Sequence, residues 1–362
     1  MTHPPSFLSS LILALLLTAC HAAPPQTISQ TPASAVGSTE TGPPPATKKP
    51  TPTNTPTPTS TPTATSVPTM APSPTPTATA THAATRPPTP TPSPTSTATP
   101  AVVGPTTLNE MPYSAFILID DKVETHIQEI YAQGQKMGRD DHSFSKLGDS
   151  LIANPYFLRI FDQMDRNLGW YNLGEYIYLQ DVIDYYHGSF DRHGAAVRVG
   201  QHAWSVFDPM WANKDLCNPG EAPLPCEIRL HNPSIMLILL GTNDNVPRHY
   251  FEKHYEKIIQ YLIEQGIVPI LFTKADRHEG EDGHNNEAIR SLAKTYHLPL
   301  VEFDLLANTL PNRGLGPDNT HLRVARSHDF TRPDTFQYGT SVHNLATLIM
   351  LERVNKILNQ HQ

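Results

Sequence analysis

The sequence predicts an α/β fold, a three-layer αβα sandwich with an open, mostly parallel sheet, preceded by a disordered linker. Three observations predict it. The run SIMLILLGTND (Ser234–Asp244) is bounded by Pro233 and Gly241 and is too short to span a membrane, so it suits a strand buried on both faces. Strand-like and helix-like patterns alternate after it, which implies βαβ units with helices on both sheet faces. Finally, 22 of the 37 prolines fall between Pro24 and Pro105, in a stretch nearly free of bulky apolar residues. That segment cannot offset its ordering entropy by burial. The low overall figures of 38% hydrophobic and 17% charged residues come from it, and about 255 residues remain for one sizeable domain.

The chain opens on an apolar core, Phe7–Leu17, too short for a mature membrane-spanning helix, which runs into Leu17-Thr18-Ala19-Cys20. This resembles the bacterial lipobox. The resemblance implies that residues 1–20 are a lipoprotein signal segment and that Cys20 becomes the lipidated first residue, anchoring the protein to the outer face of a bacterial membrane. An ordinary signal peptide cleaved near Ala22 or Ala23 is the alternative. Residues 21–105 then read as a Pro/Thr-rich stalk. Its reach is bounded by ~260 Å if fully polyproline II and by ~50 Å as a flexible coil.

Residues 106–362 carry the folded domain. Asp120–Met137 places Val123, Ile127, Ile130 and Tyr131 at helical spacing, and Pro155–Met164 reads as a second short helix. Ala195–Gly200 (AAVRVG) reads as a short strand ending in glycine. After the Ser234 run come a helix over Arg248–Gln265, a strand over Ile267–Thr273 and a helix over Asn285–His297. A strand over Leu298–Phe303 and a terminal helix over Ser341–Leu358 complete the domain.

Charge and residue usage exclude several classes. The Pro/Thr stretch is net +2, from Lys48, Lys49 and Arg86 against Glu40, which leaves −10 for the rest of a chain whose total is −8. Such a domain, with no Lys/Arg run, is not expected to bind nucleic acid. The 18 histidines are scattered without ligand spacing, so no metal site is expected. Cys217 and Cys226 stand at the ends of the loop-like CNPGEAPLPC. One local pair in an exported protein predicts a disulfide.

In parallel sheets chemistry sits at the C-terminal strand ends. Three loops there carry candidate residues. Gly148-Asp149-Ser150-Leu151 can present a serine hydroxyl beside backbone N–H donors, although the same tetrapeptide also makes a plain capping turn. Gly241-Thr242-Asn243-Asp244 offers an asparagine amide, with helix capping as the alternative role. Asp318-x-x-His321 pairs a carboxylate with an imidazole, a spacing that Asp184-x-x-His187 shares.

Together, in this order, the set resembles the SGNH hydrolases, the GDSL esterase/lipase superfamily, from Phe144 to Leu358. The resemblance implies a flavodoxin-like sheet and a carboxylic ester hydrolase. Ser150 matches the nucleophile, His321 the general base and Asp318 the residue that orients it. Asn243 and Gly200, the latter in VRVGQHAW, match the oxyanion-hole donors together with the Ser150 N–H. Asp184/His187 falls between the first two family blocks and is set aside. The chemistry implied is two-step acyl transfer needing no cofactor and no metal. Where the family has an apolar strand ahead of the nucleophile, this chain offers only Phe144 and Leu147.

Between Ser150 and Gly200 lies an aromatic-rich stretch (Trp170, Tyr171, Tyr176, Tyr178, Tyr185, Tyr186), readable as a lid, a substrate surface or simple packing against the sheet. About twenty residues after Leu322 are positioned to form a flap. The expected partner is a small-molecule or glycan ester, with deacylation of polysaccharide or cell-envelope glycans favoured. A lipase or thioesterase acting on longer acyl chains, and a non-catalytic surface glycan-binding module, are the alternatives.

Overall fold

The computed structural model describes residues 104–162 and 169–359. The signal segment, Cys20 and nearly all of the Pro/Thr stalk lie outside the described residues.

The central sheet has five strands. In chain order they are β1 (Ile117–Leu118), β2 (Asp140–Gly148), β3 (Pro233–Leu239), β4 (Val268–Phe272) and β5 (Leu300–Val301), arranged β1-β5-β4-β3-β2. Strands β2 to β5 are parallel, and β1 joins β5 antiparallel at one edge. Strand β3 is buried along its whole length. That is what two covered faces require, and it is why its sequence is continuously apolar rather than alternating.

The main helices are α1 (Asp121–Lys136), α2 (Ser150–Ala153), α3 (Gln180–Tyr185), α4 (Pro223–His231), α5 (Arg248–Glu264), α6 (His284–Thr295) and α7 (Gly339–Asn359). Helix α1 begins where Asp120 accepts the N–H groups of Lys122 and Val123 at 3.1 and 2.9 Å, which supplies partners for two otherwise unpaired donors. It packs on α7, β3 and β4, and α5 packs on α6 and β4. Among the described residues no helix is long and apolar enough to cross a membrane.

Three expected elements differ. The helix over Pro155–Met164 reduces to one 3-10 turn, Arg159–Phe161, and Met164 lies outside the described residues. Ala195–Gly200 forms only a single parallel bridge, Val197 with Gly148, because the chain turns at Arg198–Gln201. Leu298–Phe303 contributes two strand residues before another helical turn begins at Phe303.

Strand β2 is the element that hydropathy conceals. Ser143, Ser145 and Lys146 are buried within it. The chain at Ser189–Arg192 supplies most of the partners: Lys146 Nζ donates to the Phe190 carbonyl at 2.9 Å, the Phe144 N–H donates to Ser189 Oγ at 3.3 Å, and Arg192 donates to Ser143 Oγ at 3.0 Å. Pairing Ser143 and Lys146 removes most of the cost of burying a polar strand, while Ser145 Oγ is left without a hydrogen-bond partner. Burial still pushes the Lys146 ammonium down to about 7.

The aromatic stretch is mainly packing. Tyr186 meets Phe144 edge-on at 5.6 Å, Tyr171 meets Phe161 at 5.2 Å and Tyr176 packs on Phe330 and Phe336, while Trp170 stays exposed. The segment after Leu322 is tied down as well. His328–Asp329 pairs in parallel with Tyr171–Asn172, and buried His328 lies 2.7 Å from the Asn344 side chain on α7. Cys217 and Cys226 form a disulfide. Cys226 sits in α4 rather than in a loop.

Candidate active site

Sheet register brings three chain crossings to one end of the molecule. Gly148, the last residue of β2, pairs with Leu239, the last residue of β3, and on its other side bridges Val197. Ser150, Asn243 and Gly200 each follow one of these positions within a few residues, so all three emerge at the same C-terminal edge. Gly148 has to be glycine, because a Cβ there would run into the Leu239 carbonyl oxygen and come within 2.7 Å of Ile152 Cδ1. Gly200 has φ +78°, which glycine adopts without strain.

Ser150 is the first residue of α2. Asp149, fully buried, caps that helix by accepting the Leu151 N–H at 2.9 Å. Its other oxygen, Oδ2, has no hydrogen-bond partner. Burial is the main reason its carboxyl is pushed up to about 7, and the nearby Asp276 and Asp244 carboxylates push the same way.

His321 comes from the turn ahead of α7. Its Nε2 stands 2.9 Å from Ser150 Oγ and its Nδ1 stands 2.7 Å from Asp318 Oδ2. Asp318 also accepts the N–H groups of Thr320 and His321 at 3.1 and 3.0 Å through Oδ1. The His321 bond, reinforced by these backbone donors, holds the Asp318 carboxyl down at about 2. It is therefore ionised throughout the working pH range. An anion on Nδ1 favours the tautomer in which Nε2 is the acceptor facing the serine hydroxyl.

Asn243 does not cap the following helix. The N-cap position of α5 is Pro247, with no side-chain bond. Asn243 instead donates its amide to the Gln201 carbonyl at 3.2 Å, next to Gly200. Among the described residues no hydrogen bond occupies the Gly200 N–H.

The structure thus brings Ser150, His321 and Asp318 into one hydrogen-bonded relay, and Asn243 to the Gly200 turn. It keeps Asp184 elsewhere: that carboxylate accepts from Gln180 at 2.8 Å on the exposed face of α3.

Residues with no role assigned from the sequence complete the support. Asp244, buried, accepts the Ala203 N–H with both oxygens at 3.1 Å, and Asn285 on α6 donates to the carbonyls of Gly241 and Asp244 at 3.0 Å each. Burial pushes the Asp244 carboxyl up to about 6. Beneath them Lys274 pairs with Asp276 at 2.8 Å and with Glu279. The adjacency of Asp244 to Asn243 was the one available signal for this layer; the contacts themselves are long-range.

A serine hydroxyl, an imidazole and an ionised carboxylate in series, at the strand ends of a parallel α/β sheet, form an arrangement suited to nucleophilic catalysis. No family model matches the chain, and no curated protein does. Among solved structures it is similar to the psychrotrophic esterase EstA from a Pseudoalteromonas species (16% identity, 58% of this chain and 99% of that one, TM-score 0.36). It is also similar to a GDSL-like lipase from Bacteroides thetaiotaomicron (13% identity, 63% and 97%, TM-score 0.36). A third is a mutant of an acetyl-xylooligosaccharide esterase from Geobacillus (14% identity, 58% and 93%, TM-score 0.38).

Proposed function

We propose that the chain is a serine-dependent carboxylic ester hydrolase that removes short acyl groups from glycans. The carrying observation is the relay itself, with His321 2.9 Å from Ser150 Oγ and 2.7 Å from Asp318. In the proposed reaction Ser150 Oγ attacks the ester carbonyl while its proton passes to His321 Nε2. The negative charge on the carbonyl oxygen meets the N–H groups of Ser150 and Gly200 and the Asn243 amide. Collapse expels the alcohol, which takes the proton from His321, and leaves an acyl-serine. Water, deprotonated by the same imidazole, attacks the acyl carbon; His321 returns the proton to Ser150 and the acid departs.

The preference for short acyl groups is part of the proposal. Leu151 and Leu322, the chain neighbours of Ser150 and His321, line with Phe157, His343 and Asn344 a cavity of about 10 Å³, room for about one water molecule. We also propose, from the Leu-Thr-Ala-Cys motif, that the protein is exported and lipid-anchored at Cys20, with the Pro/Thr segment holding the domain away from the membrane.

The test is hydrolysis of nitrophenyl esters of increasing chain length, alongside acetylated glycans. Acetate and propionate esters should be preferred. Preference for decanoate or longer supports the lipase alternative, and no turnover of any ester supports the non-catalytic glycan-binding module.

A further inference from the structure

The segment that follows Gly200 carries a cluster of exposed and half-exposed aromatic and apolar side chains with no part in the relay. Val199 is 70% exposed and Met210 is 79% exposed. In the same segment Trp204 and Trp211, both half-buried, meet edge to face at 5.5 Å. His202 stacks on Trp204 at 5.6 Å with an interplanar angle of 24°. Arg198 lies 5.1 Å over the Trp211 ring and donates to the Trp211 carbonyl at 2.7 Å. These neighbours fix both indoles before any ligand arrives, which lowers the ordering cost of binding.

The cluster is tied to the candidate site. Residues 201–203 are held by Asn243 and Asp244 through the Gln201 carbonyl and the Ala203 N–H. Trp204 is four residues from Gly200, at most about 14 Å along the chain. Trp204 also lines an open cleft of about 550 Å³ together with Phe207, Asp208, Lys253, Glu256 and Gln260. An indole in the wall of a cleft beside carboxylate, ammonium and amide groups matches a neutral sugar chain, whose rings present C–H faces and whose edges present hydroxyls. An acyl chain would set apolar surface against those polar groups.

We infer that Trp204, braced by Trp211 and His202, is a stacking platform that binds a neutral oligosaccharide, the alcohol side of the ester, next to the Gly200 turn. This rests on the ester-hydrolase reading, and its test separates the two. The chain has three tryptophans, Trp170, Trp204 and Trp211, so two of its three indoles report on the platform. Intrinsic fluorescence of the full-length Ser150→Ala protein is titrated with xylohexaose and with cellohexaose. At least one should change the emission saturably, with the change retained on adding Trp170→Phe and lost on adding Trp204→Ala.

In the otherwise wild-type protein, Trp204→Ala should lower kcat/KM on acetylated xylohexaose about tenfold, the scale of one lost ring-stacking contact. Hydrolysis of ethyl acetate, which has no ring to stack, should be unchanged, and this also shows that the variant folds. Equal loss on both substrates overturns the platform, as does a fluorescence response to dodecanoate with none to either hexasaccharide. Failure of the wild-type protein on ethyl acetate counts against the hydrolase reading alone, since the titration needs no turnover.

Discussion

The Asn243 side-chain amide donates to the Gln201 carbonyl at 3.2 Å, joining the loop after β3 to the glycine turn. One of its two amide hydrogens is engaged there; in the proposed reaction the other meets the developing oxyanion. This sets the asparagine apart from a helix cap, since α5 starts at Pro247 without side-chain help.

Asn243→Ala should therefore lower kcat by roughly 10²–10³ with little change in KM, the behaviour of a donor used mainly in the transition state. Steady-state kinetics and a melting curve on the same variant check this. A destabilised protein with undiminished kcat would remove Asn243 from the site.

Asp149 makes stability depend on pH. Its carboxyl titrates at about 7 in the folded protein against an ordinary value of 3.8, so the folded state holds the proton more tightly. Its contribution is complete below about 4 and is lost as pH rises to about 7. Asp149→Asn keeps an acceptor for the Leu151 N–H and removes the titration. The difference in unfolding free energy, variant minus wild type, should grow by roughly 1–3 kcal/mol between pH 4 and pH 8. Denaturant unfolding at the two values measures it, and a flat difference would refute the assignment.

The strands and helices with a clean apolar period were legible in the sequence: β3, β4, α1, α5, α6 and α7 lie within a few residues of their expected bounds. Strand β2 was not, because Lys146 and Ser143 are buried through partners some 45 residues onward, which no local pattern records. The Ala195–Gly200 stretch had strand-like residues but is spent in a turn. At the site, Ser150, Asn243 and His321 were legible as motif residues. The clamps made by Asp244 and Asn285 depend on which loops meet, and the sheet register decides that.

The Cys217–Cys226 bridge closes a short loop beside α4, with the Glu221–Arg229 ion pair across it at 2.7 Å. In the chain-entropy view so short a loop stabilises on the order of 2–3 kcal/mol. The double Cys→Ala variant should fold, melt at a lower temperature and keep its kcat. A melting temperature equal to the wild type's would contradict this.

His321→Ala should reduce kcat to a small residue of the wild-type value, since among the described residues it is His321 that hydrogen-bonds Ser150 Oγ. Asp184→Ala should keep most of it, because that carboxylate meets Gln180 on the exposed face of its helix. Parallel turnover assays of the two variants decide, and an inactive Asp184 variant would reverse the assignment.

The central claim is that Ser150 Oγ, 2.9 Å from His321 Nε2, is the nucleophile. Its most direct measurement is covalent labelling of the full-length protein by a serine-directed fluorophosphonate, with the adduct located by peptide mass. The account predicts one adduct, on the peptide containing Ser150, absent from a Ser150→Ala variant whose melting curve matches the wild type. Undiminished labelling of that folded variant, or an adduct on another serine, would contradict it.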